Sequence, residues 1–252
     1  MEIIDAFCGI GPWAGRDRLL PYRPEDILSL MDHFGISKAL VYHNSLSSGQ
    51  GWVPDANRMV AEEAARNPRF IPAFAMSHHP YEGSPTLEGT LEAMRRAGAK
   101  VAWLWVPGGR LFSSVQSWMV GEWLSACSQR RLPVLCHIEG LHVNDINMIC
   151  SEFPELRLIV TGVGYTSDSA FYPLLRRHAN LHLCLGHFYI PSGNPDRFLR
   201  HFPAERLVFG SGLPHFSPGE LIGHVMYANI DEESKEKILS GNLNRMMQEV
   251  RL

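Results

Sequence analysis

Short apolar runs alternate with amphipathic stretches along the whole chain. Eight runs read as strands: 2–7, 38–43, 70–76, 100–106, 133–137, 157–162, 181–186 and 206–211. They are apolar almost without interruption, the pattern of parallel strands covered on both faces. A helical segment follows each of them, at 24–34, 55–66, 87–97, 115–130, 143–152, 169–178, 195–201 and 218–228. In 24–34 the stripe is explicit, with Ile27, Leu28, Leu30, Met31 and Phe34 on one helical face. A final helix is expected over 231–250, with Asp231 as N-cap ahead of Glu232 and Glu233. Eight strands alternating with helices predict an α/β protein, a closed (β/α)8 TIM barrel. A doubly wound open sheet is the structural alternative, but no Gly-x-Gly-x-x-Gly turn follows the first strand. The longest connections, 8–23 and 44–54, leave the C-terminal ends of strands, the face where barrel enzymes work.

Composition narrows the class. The 252 residues fit one barrel, so 1–252 is expected to be a single domain. Hydrophobic residues make up 45%, enough for a large core. A net charge of −3 argues against nucleic acid or an anionic membrane as the main partner, since both need a basic face. No apolar run reaches the roughly 18 residues of a membrane span. The first residues enter a strand at once, which leaves no room for a signal peptide. Five cysteines include no Cys-x-x-Cys pair, and Cys8, Cys136 and Cys184 lie in apolar runs as small hydrophobes. A cytoplasmic location is expected.

Candidate chemistry collects at strand ends. His43, His78, His79, His137, His187 and His215 end or follow strands on the working face. His33, His178, His182, His201 and His224 fall in helical stretches or at strand starts, and His142 opens the fifth helix. By strand parity Asp5 shares a side with Phe7 and Gly9, and Glu139 shares His137's side if that strand continues. Imidazole and carboxylate at one rim suit proton transfer near neutrality, or a relocated divalent metal such as zinc. Trp13, Trp52, Trp103, Trp105, Phe112, Phe188, Tyr189 and Phe216 lie on or beside the same strand ends and point to a pocket. Trp103 is expected to fill the barrel. Trp105 is open between core and pocket wall. Phe209-Gly210-Ser211-Gly212 is not a nucleophile elbow, and Cys136 points away from His137 on the same strand. Gly108-Gly109-Arg110 reads as a turn followed by a solvated cation, with anion binding as the alternative.

Several segments, in order, resemble the amidohydrolase-related proteins, the (β/α)8 metal-dependent hydrolases and decarboxylases. They are Ile3-Ile4-Asp5-Ala6, Met31-Asp32 with Gly35-Ile36, 67–74, Leu132-Pro133-Val134-Leu135-Cys136-His137, Phe153-Pro154-Glu155-Leu156 and Gly241-Asn242. The segment Gly210-Ser211-Gly212-Leu213-Pro214 resembles that family's Gly-Ser-Asp-x-Pro. The resemblance implies five metal-ligand positions: two His on the first strand, one each on strands five and six, and an Asp on strand eight. Here they are Phe7, Gly9, His137, Gly162 and Gly212. A catalytic zinc generally takes three protein ligands, so no metal is expected at the family site.

The expected function is that of an amidohydrolase-like hydrolase, or related lyase, acting on a small aromatic or carboxylated molecule. Its metal site would be degenerate and its acid–base chemistry altered or metal-free. Catalysis is assigned to His137, Glu139 and Asp5. Phe7, Trp13, His43, His78, Trp105, His187 and His215 are assigned to the substrate pocket. A catalytically inactive small-molecule-binding barrel is the alternative, and a scaffold acting through its surface is a third reading. The partners expected are a small-molecule ligand and other copies of the chain in a homo-oligomer, with neither nucleic acid nor membrane.

Overall fold

The computed structural model describes residues 1–13, 21–47, 52–76, 85–104, 115–189 and 195–252. Eight parallel strands form one sheet in sequence order: β1 (Ile4–Ile10), β2 (Lys38–His43), β3 (Phe70–Met76), β4 (Val101–Leu104), β5 (Val134–His137), β6 (Leu158–Thr161), β7 (Leu181–Leu185) and β8 (Leu207–Phe209). Around them lie α1 (Pro24–Phe34), α2 (Asn44–Ser47), α3 (Val53–Arg66), α4 (Leu87–Ala97), α5 (Ser117–Gln129), α6 (Val143–Glu152), α7 (Asp168–Arg177), α8 (Asp196–Leu199), α9 (Pro218–Met226), α10 (Glu232–Glu236) and α11 (Asn242–Gln248).

Local signals explain the helix ends. Pro24 opens α1, and Gly35 closes it with φ 70°, its N–H bonded to Met31 and Asp32 carbonyls. Thr86 caps α4 by accepting from Gly89 N–H, and Gly98 ends it in the same left-handed form. The final helix, expected as one piece over 231–250, is instead broken by a π turn at Lys237–Gly241. The extra residue in that turn sets Asn242 where its Nδ2 donates to the Ala204 and Leu207 carbonyls, both at 2.8 Å.

The core has two layers. Ile4, Leu40, Ala73, Trp103, Leu135 and Ile159 belong to the cluster inside the barrel. Cys8, Val41, Phe74, Leu104, Cys136 and Val160 belong to the layer between strands and helices. Leu243, Met246 and Met247 of α11 join the inner cluster and close the N-terminal end of the barrel.

Two places in the sheet need side chains to complete it. The β2–β3 ladder ends at Val41–Pro72, and proline has no N–H to offer. Beyond it, buried Asn57 of α3 takes the place of a strand: its Oδ1 accepts from Ala75 N–H at 2.8 Å and its Nδ2 donates to Ala75 O at 3.0 Å. At the β8–β1 seam, Gly212 N–H donates to Phe7 O at 2.9 Å and Gly9 N–H to Leu213 O at 2.7 Å. Asp5 completes that seam. Its Oδ1 accepts from the backbone N–H of Phe7 at 3.0 Å and of Ser211 at 2.8 Å, and its Oδ2 accepts from Ser211 Oγ.

β1 extends three residues further than 2–7, and a bulge lies inside it. Its register with β2 shifts between Asp5 and Cys8. Ile4 and Ala6 pack inside the barrel, and so does Phe7, whereas Cys8 and Ile10 face the helices. The parity argument that aligned Asp5 with Phe7 and Gly9 therefore fails, because a bulge inserts one residue and reverses the alternation.

Candidate functional site

An aromatic row runs from the barrel interior to the C-terminal mouth. Trp103, Tyr42, Phe7 and His137 follow one another across the barrel, with ring centroids 4.6 Å, 4.9 Å and 5.7 Å apart. Trp103 and Tyr42 are buried, as expected of barrel filling, while Phe7 and His137 are partly open. Phe7 and His137, tilted 29° to each other, are the part of the row that a ligand could touch.

His137 ends β5, and the chain then turns into a short 3-10 segment, Ile138–Gly140. The strand does not continue, so Glu139 is not aligned with His137 by parity. Glu139 is instead exposed, with Oε2 at 3.9 Å from His137 Nδ1. His137 Nδ1 accepts from Glu139 N–H at 3.2 Å. The neutral ring therefore carries its proton on Nε2. Burial pushes the His137 pKa down, opposed by the Glu139 charge.

Gly162 lies against this ring, and the other two family-position glycines meet other side chains. A Cβ on Gly162, which has φ +73°, would lie 2.4 Å from His137 Nε2. A Cβ on Gly9 would lie 2.0 Å from Asn44 Oδ1, and one on Gly212 2.8 Å from Phe216 Cδ2. Each position where the resemblance would place a ligand, other than Phe7 and His137, is thus filled by a neighbour's side chain. Of the five positions only His137 carries a ligating side chain. The residues present do not fit the family's metal, and among the described residues no three His, Cys, Asp or Glu gather into a metal cage.

The other sequence-assigned residues fall into four groups. His43 is buried, with Nδ1 at 2.7 Å from Ser45 Oγ, and its Nε2 fills the place of a Gly11 Cβ. Trp13 meets His215 edge-on at 4.0 Å, and His187 stacks on Phe216 at 4.3 Å with Glu220 3.6 Å from its Nδ1. Burial lowers the pKa of both His43 and His215. Asp5 is fully buried in the seam, and desolvation raises its pKa from 3.8 to about 6 against three hydrogen bonds that lower it. His78 and Trp105 lie outside the described residues, as do His79, Phe112 and the Gly108-Gly109-Arg110 turn.

Some readings change in place. Tyr189 is core rather than pocket, 1% exposed, with its hydroxyl donating to Asp168 at 2.7 Å. His142 caps α6, accepting from Asn144 N–H while Asp145 accepts from His142 N–H. Burial pushes the Cys8 and Cys136 thiols up, so neither is a ready thiolate. Sequence reasoning missed Asn44, Ser211 and Tyr42. Ser211 stood in the family-like segment. Nothing local marked Asn44, whose role depends on Gly9 across a strand pair.

Similarity to known proteins agrees with this architecture. The amidohydrolase family profile matches residues 18–246. An uncharacterized TIM-barrel protein from Bordetella bronchiseptica superposes with a TM-score of 0.71 at 18% identity, covering 99% of both chains. A dihydroxybenzoic acid decarboxylase from Polaromonas, with bound manganese and the inhibitor 2-nitroresorcinol, gives 0.72 at 13% identity, covering 98% of this chain and 97% of that one. A 4-oxalomesaconate hydratase from Rhodopseudomonas palustris gives 0.69 at 14%, covering 98% and 96%. No curated protein matches significantly. Among the described residues no helix is long and apolar enough to cross a membrane. With eight strands in barrel order and a profile match over most of its length, the chain belongs to the amidohydrolase family.

Proposed function

We propose that the mouth takes a small planar molecule, aromatic or carboxylated, and acts on it by acid–base chemistry without the family's metal. The observation that carries this reading is the row Trp103–Tyr42–Phe7–His137, beside ligand positions filled by the protein itself. A planar ring would lie against the open edges of Phe7 and His137. His137 would offer its Nε2–H to a carbonyl or carboxylate oxygen of the ligand. A neutral imidazole with a depressed pKa is suited to that task, because it donates without carrying charge. The Glu139 carboxylate, 3.9 Å from Nδ1, would favour the imidazolium once Nδ1 takes up a proton. Relatives whose names include dihydroxybenzoic acid and 4-oxalomesaconate support the class of ligand.

A non-catalytic binder is the second reading. It is favoured by Asp5, whose oxygens are committed to the seam and leave one carboxylate near His137. Lactones, amides, esters and aromatic carboxylates would be screened for turnover and, by calorimetry, for binding. A His137→Ala variant that stays folded is expected to lose about 10²- to 10⁴-fold in rate. Equal rates would remove His137 from the chemistry. Tight binding with no turnover across the panel would decide for the binder.

A further inference from the structure

Two histidines at the mouth have a charged or polar neighbour at Nδ1, and the two neighbours are of opposite kinds. We infer that the second of them, His187, is the catalytic base that complements His137 as donor, with Glu220 as its positioning residue. This inference rests on the reading of the mouth as an acid–base site for a small planar molecule.

His187 follows β7 in a turn closed by Tyr189 N–H, which donates to Gly186 O at 2.8 Å. Its ring stacks on Phe216, with centroids 4.3 Å and planes 11° apart, and meets Phe188 edge-on at 5.4 Å. Its Nδ1 is buried and lies 3.6 Å from Oε2 of Glu220, in the first turn of α9. That separation is within ion-pair range and a little long for a hydrogen bond. Even so, 37% of the side chain stays open. The two ring nitrogens diverge, so Nε2 points away from Glu220.

The neighbour at Nδ1 sets the tautomer. At His187 a carboxylate faces Nδ1, so the neutral ring carries its proton there and offers a lone pair at Nε2. At His137 the backbone N–H of Glu139 occupies Nδ1 at 3.2 Å, so the proton is on Nε2. One imidazole is thus an acceptor and the other a donor. Acid–base chemistry needs both, because one group takes a proton while another stabilises the negative charge left on the ligand. A proton gained at Nε2 makes His187 an imidazolium between the Glu220 carboxylate and the face of Phe216, and both favour a cation.

Both rings address the same sector of the mouth. His137 Nε2 lies over Gly162, at the end of β6. The register of β6 and β7 pairs Val160 with Leu183 and, continued, sets Gly164 beside His187. Tyr165 N–H donates to Phe188 O at 3.2 Å and ties the two loops there. Phe216, on which His187 stacks, covers Gly212, whose N–H donates to Phe7 O at 2.9 Å. His187 is therefore one strand across from Gly162 and two residues further along, about 8 Å away at the usual strand spacing and rise. That span holds one aromatic ring between the imidazoles.

The probe is 4-nitrophenol, which is planar, carries one O–H and turns yellow when that proton leaves. It is titrated optically against pH in the presence of the full chain in excess. Its phenolic proton should pass to His187 Nε2 while the electron pair stays on oxygen. The apparent pKa of the bound probe should then fall by about one unit or more below that of the free probe. His187→Asn should still bind the probe without that fall. Glu220→Gln, at an exposed position, should show a smaller fall. Nitrogen NMR of the unaltered chain needs no variant, and should show Nδ1–H at His187 and Nε2–H at His137. A proton on Nε2 of neutral His187 would overturn the inference. So would an equal fall in wild type and His187→Asn; if His137→Ala still weakened binding, the planar-ligand reading would stand without His187. No saturable binding of 4-nitrophenol by the wild type would overturn both.

Discussion

The mouth and the α3–α4 wall are both rich in residues with little or no side chain, and they behave in opposite ways. At the mouth, Gly9, Gly162 and Gly212 are covered by Asn44, His137 and Phe216. On the wall, Ala61, Ala65, Ala93 and Ala97 border a cavity of about 480 Å³. At the mouth each glycine's space is taken by a side chain from a neighbouring strand end, helix start or turn. Strand ends converge at the mouth, so such side chains are available. On the wall the neighbours are helices whose spacing is fixed by the strands beneath, and the facing side chains are short.

The largest expected effect tests closure at the mouth. Gly162→Ala meets both a left-handed φ and the His137 ring, so a loss of about 2–5 kcal/mol is expected in urea unfolding. His137→Ala in the same chain should recover part of it, which a double-mutant cycle would read. Additive losses would mean that His137 does not fill the space above Gly162.

The sealed side of the mouth also holds a buried carboxylate. The Asp5 pKa is raised from 3.8 to about 6 in the folded chain. Its folded value lies above its unfolded one, so its contribution is fully present below about pH 4 and is lost as pH rises through about 6. The change is on the order of 3 kcal/mol. The difference in unfolding free energy between wild type and Asp5→Asn, measured from pH 4 to 7, should shift in that sense. Groups common to both proteins cancel in that difference. A difference flat across that range would show that Asp5 is not buried as a carboxylate.

Gly35→Ala is the control for backbone strain alone. Gly35 has φ +70° but nothing within 4 Å of its Cβ position. It should lose only about 1 kcal/mol. A loss as large as that of Gly162→Ala would attribute the mouth effect to the backbone and not to a filled volume.

The wall predicts the smallest effect, with opposite sign. The buried Thr90 hydroxyl has no hydrogen-bond partner among the described residues. Thr90→Val keeps the shape and removes that hydroxyl, so the chain should gain about 1 kcal/mol. A loss of stability would mean that the Thr90 hydroxyl is satisfied after all.

Strands β2 and β3 and helices α1, α4 and α6 were legible to the residue, because apolar periodicity and end signals such as Thr86, Gly35 and Gly98 are local. The convergence of Phe7, His137, Gly162 and Gly212 followed from their places at strand ends once a barrel was assumed. The glycines themselves showed that the ligating side chains are absent. Tertiary structure alone decided what replaced them. Asn44, the first residue of α2, over Gly9 of β1 and Phe216 over Gly212 are contacts that no local pattern encodes. The bulge in β1 turned Asp5 toward Ser211, 206 residues away, and a one-residue slip of that kind leaves no mark on hydrophobicity. Sequence specifies which side chains exist and how their backbone tends to run. Which volumes those side chains fill is settled only when distant segments pack at fixed distances.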